Sequence, residues 1–428
     1  MALRPPWGAE RYPALVAPRP VFAIAGGGLA AGRAVERLRE LGYDGRLVLL
    51  TDEPRLPHER PPLSKQYLRG KLAESRLLVR PAAFYVENAV EVRTSTRVAA
   101  VSPSERTLTL ADGERLRYDR LLLALGSEPV RPAIPGADLP GVATLRTVED
   151  ADVIRDRLRP GASVLVLGAG FLGSEVAATA REMGCEVHLV EAGKLPLGAL
   201  GSVVATWAAD QHREHGVHLW TATTAARFEG TERVEAALLE DGTVIPCQLV
   251  VVAVGARPRV QLAQSAGLRV RDGVLVDGAC RASAPGILAA GDIARFPSPA
   301  GSTRSEHWDN AQLQGRHAAE AMLGPVLDFS ALPYVWTELY GSTVQQLGDW
   351  APAGPALVRG DPASGRFTAL QLDGGRLLAC VAVNQYPALK WARQVMESGT
   401  LLDPDKLDEE GPRVWSDPSA GPMTLRLD

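Results

Sequence analysis

Short apolar runs alternate with helical stretches along most of this chain. The runs at 21–25, 47–50, 121–125, 164–167 and 249–254 (VFAIA, LVLL, LLLAL, VLVL and LVVVAV) contain no polar residue. Such runs are typical of strands that are buried on both faces of a parallel sheet. The pattern therefore predicts an α/β fold in which helices cover the sheets.

Three Asp-Gly pairs predict β-hairpins, because this dipeptide favours the tight turn between antiparallel strands. They are Asp112–Gly113, Asp241–Gly242 and Asp373–Gly374. The last pair lies in a tail, from about Pro325 onward, that holds aromatic residues and short strand-like runs. We expect this tail to form a separate small α+β domain.

Two glycine-rich turns each stand between an apolar run and a helix of small residues. Their characteristic positions are held by Gly26, Gly28 and Ala31 in the first turn and by Gly168, Gly170 and Gly173 in the second. Such turns let a diphosphate reach the backbone N–H groups that a helix start leaves free. The next apolar run ends in Asp52 in the first unit and in Glu191 in the second, where a carboxylate accepts hydrogen bonds from a ribose. Two complete units predict two dinucleotides, and hence two redox cofactors that exchange electrons.

The second unit stands between the first unit and a later apolar strand that ends in Gly291–Asp292. We expect this later strand to return to the first domain, which makes the second domain an insertion. The predicted organisation is a flexible arm at 1–20, a discontinuous first domain at 21–145 and 256–324, a second domain at 146–255 and the α+β domain at 325–428.

Composition narrows the classes of partner and compartment. The 428 residues carry a formal net charge of -4, whereas a nucleic-acid-binding protein shows a basic excess. No apolar stretch reaches the roughly 18 residues of a membrane span, and the proline-rich start lacks the pattern of a signal peptide. The four cysteines, Cys185, Cys247, Cys280 and Cys380, form no Cys-x-x-Cys pair and suit a reducing cytoplasm. We expect a cytoplasmic protein that binds neither nucleic acid nor membranes.

Three histidines at a spacing of three residues, His212, His215 and His218, raise the alternative of a zinc site. The segment runs from a predicted helix end into a strand, so the three side chains would not share one face. A solvated helix end is the favoured interpretation, and no metal site is predicted.

Several separate motifs occur together in one known family. They are GGGLAA, ERPPLSKQYL, LLLALGSEP, LRTVEDA, GAGFLGSE, VAVGARP, ILAAGDIARF, EHWDNAQLQG and YVWTELYG. From about Val21 onward the chain resembles the FAD-dependent, NADH-using ferredoxin reductases of the putidaredoxin reductase type. The resemblance implies two Rossmann-like dinucleotide-binding domains in a glutathione-reductase-like arrangement, the first for FAD and the second for NADH, followed by the small α+β domain.

The resemblance implies a role in FAD binding for individual residues. The backbone around Gly28, Leu29, Ala30 and Ala31 would hold the FAD diphosphate, and Asp52 would hold the ribose. Further FAD contacts are implied for Arg60, Lys65, Val98, Arg146, Asp292, Trp308 and Trp336. Lys65 would lie near the flavin N5.

The second turn would hold NADH, with Leu172 and Gly255 among the implied contacts. Glu191 favours NADH over NADPH, because a carboxylate repels a 2′-phosphate. Glu175 matches a glutamate that pairs with the flavin-side lysine, and we expect Lys65 and Glu175 to be the catalytic pair. One family segment is altered, since the pattern aromatic-Trp-Ser-Asp-Gln is here Val335, Trp336, Thr337, Glu338 and Leu339.

The function implied by the resemblance is electron transfer from NADH through FAD to a [2Fe–2S] ferredoxin, which feeds a cytochrome P450 or a Rieske-type ring-hydroxylating oxygenase. One alternative is a disulfide reductase or NADH oxidase on the same fold, which requires a reactive cysteine beside the flavin. Another is a redox-sensing flavoprotein, similar to apoptosis-inducing factor, that keeps a long-lived charge-transfer complex with NADH.

Overall fold

The structure is a computed structural model that describes residues 19–298, 301–351, 354–403 and 407. The predicted arm at 1–20 lies almost wholly outside these residues, as does the end of the predicted C-terminal domain. No helix in the described ranges combines the length and apolar character needed to cross a membrane.

From residue 19 to residue 130 the structure describes eight strands and two helices. The strands are β1 (Val21–Ala25), β2 (Arg46–Leu50), β3 (Val90–Arg93), β4 (Val98–Ser102), β5 (Thr107–Leu110), β6 (Arg115–Arg117), β7 (Arg120–Leu123) and β8 (Ser127–Pro129), and the helices are α1 (Leu29–Glu40) and α2 (Ala82–Glu87).

The middle of the chain contains nine strands and three helices. The strands are β9 (Val142–Thr144), β10 (Ser163–Leu167), β11 (Glu186–Glu191), β12 (His218–Thr221), β13 (Ala225–Glu229), β14 (Ala236–Leu239), β15 (Val244–Pro246), β16 (Leu249–Val252) and β17 (Ala256–Pro258), and the helices are α3 (Val148–Arg155), α4 (Phe171–Glu182) and α5 (Ser202–Glu214).

The last part begins with a return to the first domain. Its elements are α6 (Gln261–Ser265), β18 (Val274–Leu275), β19 (Ile287–Ala289), β20 (Ala294–Ser298), β21 (Gly301–Thr303), α7 (Trp308–Leu323), β22 (Tyr334–Leu339), β23 (Ser342–Gly348), β24 (Leu357–Asp361), β25 (Arg366–Asp373), β26 (Arg376–Val383) and α8 (Tyr386–Ser398). Short 3-10 helices lie at Pro61–Ser64, Glu74–Arg76, Gly198–Leu200, Gly291–Ile293 and Pro362–Ser364.

The first sheet is parallel, in the order β19-β7-β1-β2-β3. Its edge strand β19 follows the second glycine turn in the chain and pairs with β7. Helices α1 and α7 pack closely because small residues meet there, and a Cβ at Gly315 would lie 2.3 Å from the carbonyl oxygen of Ala30. This packing brings the start of α7 to the end of β1, where the first glycine turn lies.

The second sheet repeats the plan, in the parallel order β12-β11-β10-β16-β9. Strand β9 belongs to this sheet although it precedes residue 146, the predicted start of the second domain. In both sheets the strand that precedes the glycine turn, β1 or β10, lies inside the sheet, so each glycine turn follows a buried apolar strand.

The C-terminal sheet is antiparallel, in the order β22-β23-β26-β25-β24, and α8 packs on it. Each Asp-Gly pair lies at a hairpin connection, between β5 and β6, β14 and β15, and β25 and β26. The expected fold class of two Rossmann-like domains followed by a small α+β domain is confirmed.

The C-terminal domain packs on helix α5 of the second domain. Trp350 lies over Gly201, where a Cβ would come within 2.6 Å of the indole ring. The hydroxyl of Tyr340 lies 2.8 Å from Nδ1 of His212, and the Tyr340 ring stacks on His215 at 3.8 Å. The two histidines at the end of α5 therefore belong to a domain interface.

His212 is completely buried, and this burial lowers its pKa to about 4. In the unfolded chain the His212 side chain has an ordinary pKa near 6.5. Because the folded-state pKa is the lower one, the stability linked to His212 is fully present above pH 6.5 and declines as the pH falls towards 4.

We expect acidification to weaken this interface. Between pH 7 and pH 5 the free energy of unfolding should fall by about 2 kcal/mol more in the wild-type protein than in His212→Gln, which lacks the titrating group. Urea unfolding at the two pH values measures the difference, and His218→Gln is the control for a half-exposed histidine. An identical pH dependence in wild type and His212→Gln would contradict the assignment.

Candidate functional site

A cavity of about 1160 Å³ opens onto both glycine turns. The residues from the first domain and the C-terminal domain that line it include Gly26, Gly28, Leu29, Ala30, Asp52, Arg60, Lys65, Val98, Asp292, Trp308 and Trp336. Those from the second domain include Arg146, Gly168, Gly170, Leu172, Glu175, Glu191 and Gly255. The structure thus brings almost every sequence-predicted site residue to one cavity.

Two predicted residues do not line the cavity. Ala31 is fully buried within α1, and Gly173 is buried within α4. A Cβ at Gly173 would lie 1.8 Å from the carbonyl oxygen of Gly168. Both residues occupy the third position of their turn, where the helix packs against the strand, so their small size serves packing rather than ligand contact.

The first turn is shaped for an anionic group. Gly26 has a φ of 138°, and a Cβ there would lie 2.1 Å from the carbonyl oxygen of Ala124. Gly28 is the N-cap residue of α1, and apart from its chain neighbours no described atom lies within 4 Å of the position of its absent Cβ. Helix α1 has neither a side-chain cap nor an acidic residue in its first turn. Its free N–H groups and positive dipole end therefore remain available to phosphate.

The second turn has the same construction. Gly170 is the N-cap residue of α4, and apart from its chain neighbours no described atom lies within 4 Å of its absent Cβ. The first turn of α4 again lacks a side-chain cap and an acidic residue. Glu191 lies beside this turn because its carboxylate accepts hydrogen bonds from the backbone N–H of Ala169 (2.6 Å) and of Gly193 (2.7 Å). The acid at the end of the second apolar run is thus held next to the turn.

An arginine-rich group lies beside the first turn. Arg60 donates to the carbonyl oxygen of Arg146 and to the carboxylate of Glu53, both at 2.7 Å. Arg146 donates to Asp292 at 2.8 Å, and Ser127 donates to the same oxygen at 2.9 Å. Burial, together with the neighbouring Arg146 guanidinium, lowers the pKa of Arg60.

The Nε of Arg146 is buried and has no hydrogen-bond partner among the described residues. It adds a further donor to those of the two helix starts, and all of them fit the acceptor-rich phosphates of FAD and NAD(H). Sequence reasoning missed Glu53 and Ser127 in this group. Their signals were weak, since Glu53 directly follows Asp52 and Ser127 lies within the LLLALGSEP motif.

Lys65 and Glu175 form a buried ion pair in the cavity wall. The Lys65 Nζ lies 2.7 Å from Oε2 of Glu175 and 3.2 Å from the carbonyl oxygen of Pro61. Ser64 donates to Oε2 of Glu175 at 2.5 Å, and Thr337 donates to Oε1 at 2.7 Å. Both carboxylate oxygens are therefore satisfied, as a buried charge requires. The sequence did not indicate the two hydroxyl donors.

Aromatic side chains close the cavity on the side of the C-terminal domain. Trp308 meets Trp336 edge to face, with ring centroids 5.5 Å apart, and Tyr334 stacks on Trp336 at 6.0 Å. Both tryptophans also line a second hollow of about 430 Å³ that includes Tyr334, Glu59 and Glu338. The tryptophans thus separate the cavity from this outer hollow.

The three histidines of the zinc alternative do not come together. His212 and His215 pack against Tyr340, whereas His218 stacks on His188 at 4.8 Å, near Glu186. Ligand atoms of Glu186, His188 and His218 lie within 4.8 Å of one another.

The hydrogen bonding in this group does not favour a metal. Trp220 donates to Nδ1 of His188 at 3.3 Å, which leaves the ring proton on Nε2, the nitrogen that faces Glu186. A metal would need that nitrogen free, so we interpret these residues as a hydrogen-bonded surface group.

The cysteines lie away from the cavity. All four are free and buried, and none lines the cavity. Burial raises the pKa of Cys247, Cys280 and Cys380 to about 12, and burial also raises the pKa of Cys185. A thiol of this kind is a poor nucleophile, which argues against the disulfide reductase alternative.

The chain is similar to reductases of oxygenase systems. It is 37% identical over 393 residues to the ferredoxin–NAD(+) reductase component of the biphenyl dioxygenase system of Paraburkholderia xenovorans. The aligned region covers 91% of this chain and 96% of that protein. It is 35% identical over 389 residues to rhodocoxin reductase from Rhodococcus erythropolis. The aligned region covers 90% of this chain and 91% of that protein.

Solved structures agree with these similarities. The ferredoxin reductase of the CYP199A2 system from Rhodopseudomonas palustris superimposes with a TM-score of 0.87 at 33% identity, over 90% of this chain and 96% of that chain. The covalent putidaredoxin reductase–putidaredoxin complex gives a TM-score of 0.87 at 33% identity, over 91% of this chain and 96% of that chain.

Two family models match the chain. Residues 334–414 match the model described as reductase C-terminal. Residues 21–315 match the model described as pyridine nucleotide-disulphide oxidoreductase. The first of these ranges holds the antiparallel sheet and the second holds both glycine turns. The chain therefore belongs to the pyridine nucleotide-disulphide oxidoreductase family and carries a reductase C-terminal domain.

Proposed function

We propose that this protein passes electrons from NADH through FAD, one at a time, to a [2Fe–2S] ferredoxin that supplies a cytochrome P450 or a ring-hydroxylating oxygenase. Its family and relatives imply that it binds FAD and NAD(H). The observation that carries the proposal is one cavity that joins two phosphate-type glycine turns at a buried Lys65–Glu175 pair. The names of the relatives, which include components of dioxygenase systems, support a ferredoxin partner.

FAD, when bound, supplies the conversion between NADH, which gives two electrons at once, and an iron–sulfur cluster, which accepts one. The chain supplies position and charge. In the proposed assignment the start of α1, from Gly28 to Ala31, holds the FAD diphosphate, and Asp52 accepts from its ribose. Arg60 and Arg146 add positively charged guanidinium groups beside the phosphates, a task to which such groups are suited.

On the nicotinamide side, the start of α4 at Gly170 holds the NADH diphosphate and Glu191 accepts from the adenosine ribose. Lys65 is 5% exposed, so its positive charge acts in a space from which water is largely excluded. A fixed charge in such surroundings stabilises developing negative charge more strongly than it would in water. Glu175 keeps that charge in place.

We also propose a cytoplasmic location. The support is that all four cysteines are free thiols, as expected in a reducing compartment.

Anaerobic rapid mixing tests the function directly. We expect NADH to bleach the flavin absorbance faster than NADPH does, and a [2Fe–2S] ferredoxin to restore it promptly. A persistent long-wavelength charge-transfer band that ferredoxin does not discharge would instead support the redox-sensing alternative. Loss of both responses would rule out the proposal.

Two glycine substitutions test which turn holds which cofactor. The added Cβ of Gly170→Ala or Gly28→Ala would point into open cavity space, so each variant should fold. We expect Gly170→Ala to keep its flavin and raise the KM for NADH about tenfold, a loss of about 1.4 kcal/mol of binding. We expect Gly28→Ala to lose flavin, measured as flavin content per chain.

Gly173→Ala is the matched control for a packing glycine. Its Cβ would meet the Gly168 carbonyl oxygen, so we expect a lower melting temperature rather than a selective change in NADH affinity. If Gly28→Ala lost NADH affinity while keeping full flavin content, the assignment of the two turns would have to be reversed.

A further inference from the structure

Glu175 receives hydrogen bonds from both of the domains other than its own. Its own helix α4 belongs to the second domain, Ser64 and Lys65 come from the first domain, and Thr337 comes from strand β22 of the C-terminal domain. Lys65 and Ser64 both reach Oε2, so Oε1 is held by Thr337 alone among the described residues.

The Thr337 hydroxyl has no access to solvent. Its side chain is fully buried, and Glu175 and Lys65 are 6% and 5% exposed. Water is therefore a poor substitute for the hydroxyl at Oε1. An ammonium group is a compact charge with rotatable donors and does not by itself fix the plane of a carboxylate. A donor on each oxygen does fix that plane, and with it the position of the lysine.

The backbone of β22 holds Thr337 in place. Thr337 pairs in register with Val344 of β23, and Trp336 pairs with Gln345. Successive side chains of a strand point to opposite faces, so the same strand presents Trp336 to the cavity and the outer hollow and presents Thr337 to Glu175.

We propose that Thr337 is a positioning residue for the Lys65–Glu175 pair, so that the C-terminal domain takes part in flavin reduction by NADH. This inference rests on the proposed function. It adds that the C-terminal domain, which lies outside both dinucleotide-binding units, helps to position the charged Lys65–Glu175 pair beside the flavin.

Three variants test the inference in the flavin-loaded protein. Thr337→Val removes the hydroxyl and keeps the shape, whereas Thr337→Ser keeps the hydroxyl. Thr368→Val is the matched control, because Thr368 is a buried threonine of the same sheet that does not line the cavity. The readouts are the limiting rate of flavin reduction by NADH, the apparent dissociation constant for NADH and the midpoint potential of the flavin, titrated with a chemical reductant.

We expect Thr337→Val to lower the limiting rate about tenfold, which corresponds to about 1.4 kcal/mol of barrier, and to leave the apparent dissociation constant for NADH within about twofold. The midpoint potential should move to a more negative value. Without the Thr337 hydroxyl, the negative charge of Glu175 is stabilised only from the side of Lys65 and Ser64. It then neutralises the lysine charge more fully, so less positive charge remains to stabilise the reduced flavin. Thr337→Ser and Thr368→Val should match the wild-type protein in all three measurements.

A wild-type rate and potential in Thr337→Val would overturn the inference, as would an equal loss in Thr337→Ser, since the effect would then follow shape. If Thr337→Val takes up no flavin, Thr337→Ala replaces it in the same comparison. The potential is measured without NADH or ferredoxin, so failure of the proposed electron transfer to ferredoxin is distinguishable from failure of this inference.

Discussion

The buried carboxylate of Glu175 is the constraint on which the arrangement of the three domains depends. A charge removed from water is tolerated when it is paired and its remaining hydrogen-bonding capacity is filled. Here the counter-charge and the hydroxyl donors arrive from the other two domains. Separating the second domain from either of the other two would deprive Glu175 of a hydrogen-bond donor, so the pair fixes domain position as well as electrostatics.

At the two glycine turns the chain does the opposite, because it leaves the backbone N–H donors of the helix starts without a side-chain acceptor. Helix α3 shows how this chain completes an ordinary helix start, since Thr147 and Asp150 form a reciprocal capping box there. Helices α1 and α4 have glycine at that position, no side-chain cap and no acid in the first turn. The protein thus forgoes capping stabilisation, typically about 1 kcal/mol per helix, at the two places where a phosphate can supply the missing acceptor.

Much of the fold follows from local patterns. Apolar runs, glycine turns and Asp-Gly hairpins each act through the backbone of a few neighbouring residues, so their structural consequences can be predicted one segment at a time. The sequence also predicts the insertion of the second domain, because the strand before Asp292 repeats the composition of a buried parallel strand, and this strand pairs with β7 in the first sheet. The boundary near residue 146 was less well defined by sequence, because the short strand β9 has no periodicity long enough to show which sheet it joins.

The sequence by itself determined the two dinucleotide units, the small third domain and the family, and it named residues that almost all reach one cavity, because these signals are local or lie in short motifs. The tertiary structure decided how those residues act together. Glu53 joins Arg60, Ser127 joins Asp292, and Thr337, in sequence part of an altered family segment, completes the hydrogen bonding of Glu175. Ser127 and Asp292, like Thr337 and Glu175, are more than a hundred residues apart, and only the packing of sheets and domains brings such side chains within hydrogen-bond distance.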